Sequence, residues 1–485
     1  MFRIRCIEKK TCRIWFVFSV VAGLQLCCVD GSGWAGPIVR EPYLQLSTES
    51  SIVVVWRTKG PVEPVVRYGL MADTLDQRSS TEHVTLRVSD DIGGVEAETL
   101  YRESLKERGV REDRSMDDST GDSNIFQYEV TLSELDADTK YYYVVYDGSR
   151  RISGEHRFTT SPVRGSDAST RIWVVGDSGT GGAAQREVYE AMQGFVKESG
   201  REMDFFVHVG DMAYSVGANF EFQNHFFDVY EDFLRETVVW PTMGNHEGYT
   251  SRGMTGIGPY YDAYVLPTNG EAGGVASGTE AYYSFDVGNV HFVCLDSHDL
   301  DRDRTGPMAT WLVEDLKQTT ANWLIAFWHH PPYTKGSHDS DTERQLIEMR
   351  EEIMPILEAR GVDLVLTGHS HIYERSMLMD GAYATPTVAD GVILDGGDGD
   401  PAGDGAYKKG AGLNPHEGTV QVVAGNGGAG FNRGGGSMSV MQKSMLEHGS
   451  VVLDIHGDRL VGHMVNTDGV KRDIFSVVKR GRAKK

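Results

Sequence analysis

Cysteine is almost missing from the body of this chain. Four of its five cysteines (Cys6, Cys12, Cys27 and Cys28) crowd into the first 28 residues, and only Cys294 lies beyond them. Without that leader no intrachain disulfide can form, so stability has to come from packing. Cys294 sits in an apolar run and reads as a buried small hydrophobe rather than a reactive thiol. Positive charge is scarce as well: 47 Lys and Arg stand against 70 Asp and Glu, a formal net charge of -23. Phosphate backbones demand clustered basic residues, so this balance argues against a nucleic-acid surface and suits a solvated acidic exterior. Long apolar runs are lacking too. The run over residues 14–29 falls short of the ~20 residues of a membrane span. Preceded by Arg3, Arg5, Lys9, Lys10 and Arg13 and followed by Gly31-Ser32-Gly33-Trp34-Ala35, it reads as a secretory signal over residues 1–35. An uncleaved anchor is the less favoured reading. A secreted or periplasmic protein with no stable membrane span after cleavage is the expectation.

A length of 485 residues exceeds one hydrophobic core and implies two or three domains. Residues 37–162 carry short runs rich in β-branched and aromatic residues, at 51–56, 65–68, 127–132 and 140–146, separated by turn signals. They predict an all-β sandwich with a charged surface insertion near residues 90–123. A linker follows over 159–165. From residue 170 to about 475 short apolar strands alternate with helical patterns at 183–199, 307–318 and 341–360. Ser340 and Glu343 offer the last of these a capping box. This alternation predicts an α/β layered domain with ligands at the strand ends. The Gly- and Asp-rich stretch 380–418 lacks the spacing of an EF-hand loop and reads as a solvated loop, and the basic residues from Lys479 onward as an exposed tail.

What the alternating region does have is a series of polar turns, each closing an apolar run: Gly176-Asp177-Ser178-Gly179, Gly210-Asp211-Met212-Ala213-Tyr214, Gly244-Asn245-His246-Glu247, Trp328-His329-His330-Pro331 and Gly368-His369-Ser370-His371. Two cations about 3.5–4 Å apart need a shared ligand, and a carboxylate can bridge. Asp211 is the natural bridge, with Asp177 on one ion and Asn245 and the imidazoles as further donors. Tyr214 discriminates between metals. A phenol with a pKa near 10 binds well only to a strongly polarising cation, and trivalent iron suits it better than zinc or magnesium. The second ion is then divalent, with zinc, Fe(II) or manganese suiting Asn and imidazole donors.

In their order and spacing these five motifs resemble the purple acid phosphatases, a branch of the calcineurin-like metallophosphoesterases. The segment from Val362 through His369 and His371 to Tyr373-Glu374-Arg375-Ser376 is especially similar. Most of that superfamily has His two residues after the first Asp, whereas this chain has Gly179 there and Tyr214 instead, the mark of the purple branch. The N-terminal region resembles the fibronectin-III-like domain of the family. The resemblance implies that Asp177, Asp211, Tyr214 and His371 hold Fe(III), and that Asp211, Asn245, His329 and His369 hold the divalent ion. Of the His329-His330 pair, alignment on the following Pro-x-Tyr favours His329 as ligand. It implies His246 as proton donor or phosphate contact and His338 as a further phosphate contact. It also implies an acid phosphatase hydrolysing small phosphate monoesters. Two rivals stand beside this reading: a metallophosphodiesterase or nucleotidase on the same fold, and a secreted binding or adhesion module with an inert second domain.

Overall fold

A computed structural model describes residues 38–81, 84–86, 125–431 and 436–480. The leader over 1–35 and the insertion near 90–123 lie outside the described residues. Two antiparallel sheets form the N-terminal sandwich. One runs Ile38–Gln45, Ile52–Lys59, Ile125–Leu132, Val84–Leu86. The other runs Gln77–Ser80, Pro64–Gly69, Lys140–Asp147, Arg150–Arg151, with His156–Thr159 also paired to Lys140–Asp147. Ile52–Lys59 is buried along nearly its whole length because both faces are covered. Trp56 stacks on Tyr128 in the sandwich core. Arg57, pointing the opposite way, donates to Asn219 Oδ1 at 2.6 Å. Arg40 Nε reaches Gln223 Oε1 at 2.7 Å, Tyr43 OH reaches the Ala263 carbonyl at 2.7 Å and Tyr143 OH the Arg235 carbonyl at 2.8 Å. The sandwich thus braces the segment that follows Tyr214 and flanks Asn245.

Two seven-stranded sheets make the layered α/β region. In the first, Thr170–Val175, Phe205–His208 and Val238–Pro241 are parallel neighbours. In the second, Val290–Cys294, Trp323–Phe327, Leu364–Thr367 and Val420–Ala424 are parallel neighbours. Aromatic side chains join the layers: Trp240 stacks on Phe285 at 4.0 Å between centroids, and Phe205 meets Phe292 edge-on. Cys294 is buried and unpaired in a disulfide. Among the described residues no helix is long and apolar enough to cross a membrane. The helices Ala183–Ser199 and Pro307–Gln318 run over the spans their periodicity predicts. Gly200 ends the first in the left-handed region, at φ 64°.

Four expectations need correcting. The helix expected over 341–360 begins at Arg344, widens into a π turn over Met349–Ile353 and resumes as Met354–Glu358. Pro355 has no N–H to give the preceding turn, which accounts for the widening. Ser340 is not its cap: its hydroxyl accepts from the Thr334 N–H at 3.0 Å, while Glu343 turns to His338. The stretch 380–418 is not simply a solvated loop either. It contributes Tyr407–Gly410, which pairs in parallel with the terminal strand Lys471–Arg480. Lys479 belongs to that strand and is buried, not exposed. Its ammonium and that of Lys409 each lie 2.7 Å from the buried Asp363 carboxylate. Three charges that would be costly to bury singly are tolerated because they neutralise one another in part.

A second buried ion cluster has a readable pH signature. His291 lies between Asp286 and Asp315, 2.7 Å from each. Burial alone would lower its pKa, but the two carboxylates outweigh burial and lift it to about 9. In the unfolded chain the value returns to ~6.5. The stabilisation is therefore complete below pH ~6.5 and is lost as pH rises through about 9. Denaturant unfolding of the protein and of His291→Gln should show a stability gap that is largest at pH 6 and shrinks towards pH 10. A gap that does not change with pH would mean that the imidazole is neutral when folded.

Candidate metal centre

The five polar turns follow the carboxyl ends of parallel strands from both sheets. Asp177, Asp211 and Asn245 come from the first sheet, and His329, His369 and His371 from the second. Three of these residues leave their strands in the left-handed region: Asp177 at φ 53°, Asp211 at φ 58° and His369 at φ 65°. Such conformations cost a non-glycine residue ~1–3 kcal/mol and persist only where the surroundings impose them. Here they turn three side chains into one pocket.

The donors gather as two overlapping groups. Tyr214 OH lies 3.0 Å from Asp211 Oδ2, 3.2 Å from Asp177 Oδ1 and 3.2 Å from His371 Nε2. Asn245 Oδ1 lies 3.0 Å from His329 Nε2 and 2.8 Å from His369 Nδ1. Asp211 Oδ2 reaches both groups, since His329 Nε2 is 3.4 Å away. Asp211, His329 and His369 bring one donor atom each within 4.8 Å of one another.

Backbone carbonyls decide which way the imidazoles face. His329 Nδ1 donates to the Val209 carbonyl and His371 Nδ1 to the Gly430 carbonyl, both at 2.8 Å. Each ring then aims Nε2 inward, at the oxygens of Asn245, Asp211, Asp177 and Tyr214. Burial alone would lower His329, but Asp211 and Asp177 outweigh it and lift the imidazole to about 9, so a proton on Nε2 holds a place that a bound cation would take. Among the described residues the ion-pair partners of Asp177 and Asp211 are all histidines, with no Lys or Arg. Burial, with Asp211 and Asp177 beside it, holds the Tyr214 phenol well above its ordinary pKa. Burial likewise raises Asp177 and drives His369 down to about 3. Hard oxygen donors and imidazoles, converging with no lysine or arginine among the described ion-pair partners of Asp177 and Asp211, fit a pair of metal ions.

His246 and His338 stand at the rim. His246 Nδ1 meets the Ser215 carbonyl at 2.6 Å, and its ring packs 4.3 Å from that of Tyr214. His338 stacks on His369 at 3.7 Å and is held by Glu343 Oε2 at 2.9 Å. Their side chains are 23% and 32% exposed, so both can meet a ligand from solvent. His330 is buried, bonded to Ser297 Oγ at 2.9 Å. His208 is buried against Ser178 at 2.9 Å. A cavity of about 520 Å³ that touches Leu44, Tyr189, Phe233 and Trp240 contains none of the donors in its lining.

The chain's relatives complete this picture. Residues 170–373 match the family model of the calcineurin-like phosphoesterases, and residues 39–160 match that of the purple acid phosphatase N-terminal domain. The chain belongs to the purple acid phosphatase family. Purple acid phosphatase 23 of Arabidopsis thaliana is 31% identical over 277 residues, covering 51% of this chain and 57% of that protein. A purple acid phosphatase of Glycine max is 25% identical over 378 residues, covering 73% of this chain and 74% of that protein. The chain spans about half the length of the first curated relatives it matches. A purple acid phosphatase from yellow lupin seeds superposes with a TM-score of 0.66 at 19% identity, over 90% of this chain and 74% of that one, a likeness of fold. In this member of the family the Gly179-for-His exchange has a steric cause. A Cβ at Gly179 would overlap the carbonyl of Met212, because the Asp211–Tyr214 turn lies directly on it. The Tyr214 N–H also donates to the Gly179 carbonyl at 2.8 Å.

Two supporting residues escape sequence reasoning. Glu247, the last residue of its motif, is fully buried and accepts the N–H groups of Asp211, Met212, Ala213 and Gly244 at 2.8–3.0 Å. Only its place in the motif hinted at a role. Glu343 looks like a capping residue in sequence and instead steadies His338. Glu247→Ala would orphan four buried amides at ~1–3 kcal/mol each. It should lower the urea midpoint sharply, with Glu247→Gln intermediate. An unchanged midpoint for Glu247→Ala would show that water replaces the carboxylate.

Proposed function

We propose that this protein is a secreted dinuclear-metal acid phosphatase acting on small phosphate monoesters. The observation that carries the proposal is the convergence of seven donors into two groups that share Asp211 Oδ2. Asp177, Asp211, Tyr214 and His371 would hold Fe(III), because a phenol needs a hard, strongly polarising ion. Asp211, Asn245, His329 and His369 would hold Zn, Fe(II) or Mn. When bound, such a pair supplies Lewis-acid charge to phosphate oxygens and makes water acidic enough to act as a nucleophile. The extracytoplasmic location rests on the leader read in residues 1–35.

The chain's own residues do the rest. The left-handed turns and the Glu247 strut fix the donors before substrate arrives, so little reorganisation is left for the reaction. His246 is tethered at Nδ1 by the Ser215 carbonyl, with Nε2 3.8 Å from Asp211 Oδ2. It would deliver a proton to the leaving alkoxide. His338, steadied by Glu343 and stacked on His369, would contact the phosphate as well.

Leaving-group dependence tests this assignment. A phenolate with electron-withdrawing substituents needs no proton, whereas an alkyl alkoxide does. His246→Gln should therefore lower kcat by ~10²–10⁴-fold on an alkyl monoester and far less on p-nitrophenyl phosphate. Equal losses on both would remove His246 from the proton-transfer step. Faster turnover of the bis(p-nitrophenyl) diester or of nucleotides by the unaltered protein would favour the diesterase or nucleotidase reading.

A further inference from the structure

Among the described residues, one group of possible cation ligands shares no member with the seven-donor pocket. Glu358 ends the helix Met354–Glu358, while Asp380 and His416 lie at the two ends of the Gly- and Asp-rich excursion over 380–418. One donor atom from each, two carboxylate oxygens and an imidazole nitrogen, lies within 4.8 Å of the others. His416 Nδ1 is 3.1 Å from Asp380 Oδ1 and 3.2 Å from Oδ2.

The second observation is the state of Glu358. It is 1% exposed, and its Oε2 is satisfied by the Gly381 N–H at 2.8 Å and by Tyr383 OH. Its Oε1 is buried and has no hydrogen-bond partner. A buried carboxylate oxygen without a donor is costly and rare. Asp380, the neighbouring carboxylate, has no proton of its own to give and can only share one with Glu358: burial first, and Asp380 further, lift the Glu358 carboxyl to about 8, and a bound cation would take that proton's place. The surroundings favour positive charge in another way. The carbonyl ends of a helix carry partial negative charge, and the group sits at that end.

We propose that Glu358, Asp380 and His416 form a third cation site, for zinc, that clips the stem of the 380–418 excursion to the helix. Carboxylate oxygen and imidazole nitrogen are both zinc ligands, and three of them leave the fourth tetrahedral position to water on the solvent side of His416. Ligand atoms around such an ion stand a little over 3 Å apart, so a small inward movement of a group already within 4.8 Å completes it. A clip at this place closes a loop of more than thirty residues. The ordering entropy it removes is large, and its effect should appear as stability rather than as chemistry. The excursion itself supplies Tyr407–Gly410 to the edge of the first sheet, so fixing its stem also fixes that edge.

The test compares zinc content between full-length proteins equilibrated with zinc and then desalted. His416 is more than half exposed, so His416→Ala should fold normally. The unaltered protein should carry one zinc per chain more than His416→Ala, and its thermal midpoint should rise with zinc while that of the variant rises less. Glu358→Gln should lose the same single ion. Equal zinc content in the unaltered protein and His416→Ala would overturn the proposal. So would an ion lost in His416→Ala but kept in Glu358→Gln, since it would then be held only by an exposed surface pair. Because the readout is a difference between variants, it does not depend on how many ions the seven-donor pocket holds.

Discussion

Two carboxylates, a phenol and three imidazoles share one buried pocket in which, among the described residues, no lysine or arginine pairs with the carboxylates. Burying such a set is unfavourable by several kcal/mol per charge unless a cation is supplied. Elsewhere the same fold meets the same difficulty with its own side chains. Asp363 has Lys409 and Lys479, Asp473 has Arg375, and Asp315 has His291. At Asp177 and Asp211 the described partners are all histidines, and on the proposed function the remaining countercharge would come from bound metal ions.

Much of the architecture can be read as the means of holding that unfavourable set in place. Parallel strands from two sheets end at one edge, so donors from distant parts of the sequence meet without long side chains. Three left-handed residues aim the donors, and Glu247 gathers four amides that the Asp211 and Gly244 turns would otherwise leave unsatisfied. The N-terminal sandwich, through Arg40, Tyr43 and Arg57, grips the segment around Asn219, Gln223 and Ala263 that borders the Tyr214 and Asn245 turns. Its contribution to the site is rigidity at a distance, since no sandwich residue is among the donors.

The parts of this structure that could be read from sequence were those with local causes. Helices 183–199 and 307–318 show in their periodicity, and the five polar turns show in their residue types and order. Non-local causes hid the rest. Nothing around Lys479 announces that Asp363, more than a hundred residues earlier, will draw it into the core. Ser340 and Glu343 have the spacing of a capping box, but Thr334 and His338 compete for them and win. Polar strands such as Gln77–Ser80 have no hydrophobic alternation to reveal them. The steric demand at Gly179 becomes visible only once the Asp211–Tyr214 turn is seen to lie on it.

The central claim is that an iron ion sits among Tyr214, Asp177, Asp211 and His371 with the phenol ionised against it. The visible absorption spectrum of the iron-loaded protein, recorded beside that of Tyr214→Phe, tests it most directly. A broad visible band from tyrosinate-to-iron charge transfer in the first and no such band in the second is the predicted result. A colourless iron-loaded protein, or a band that survives in Tyr214→Phe, would contradict it.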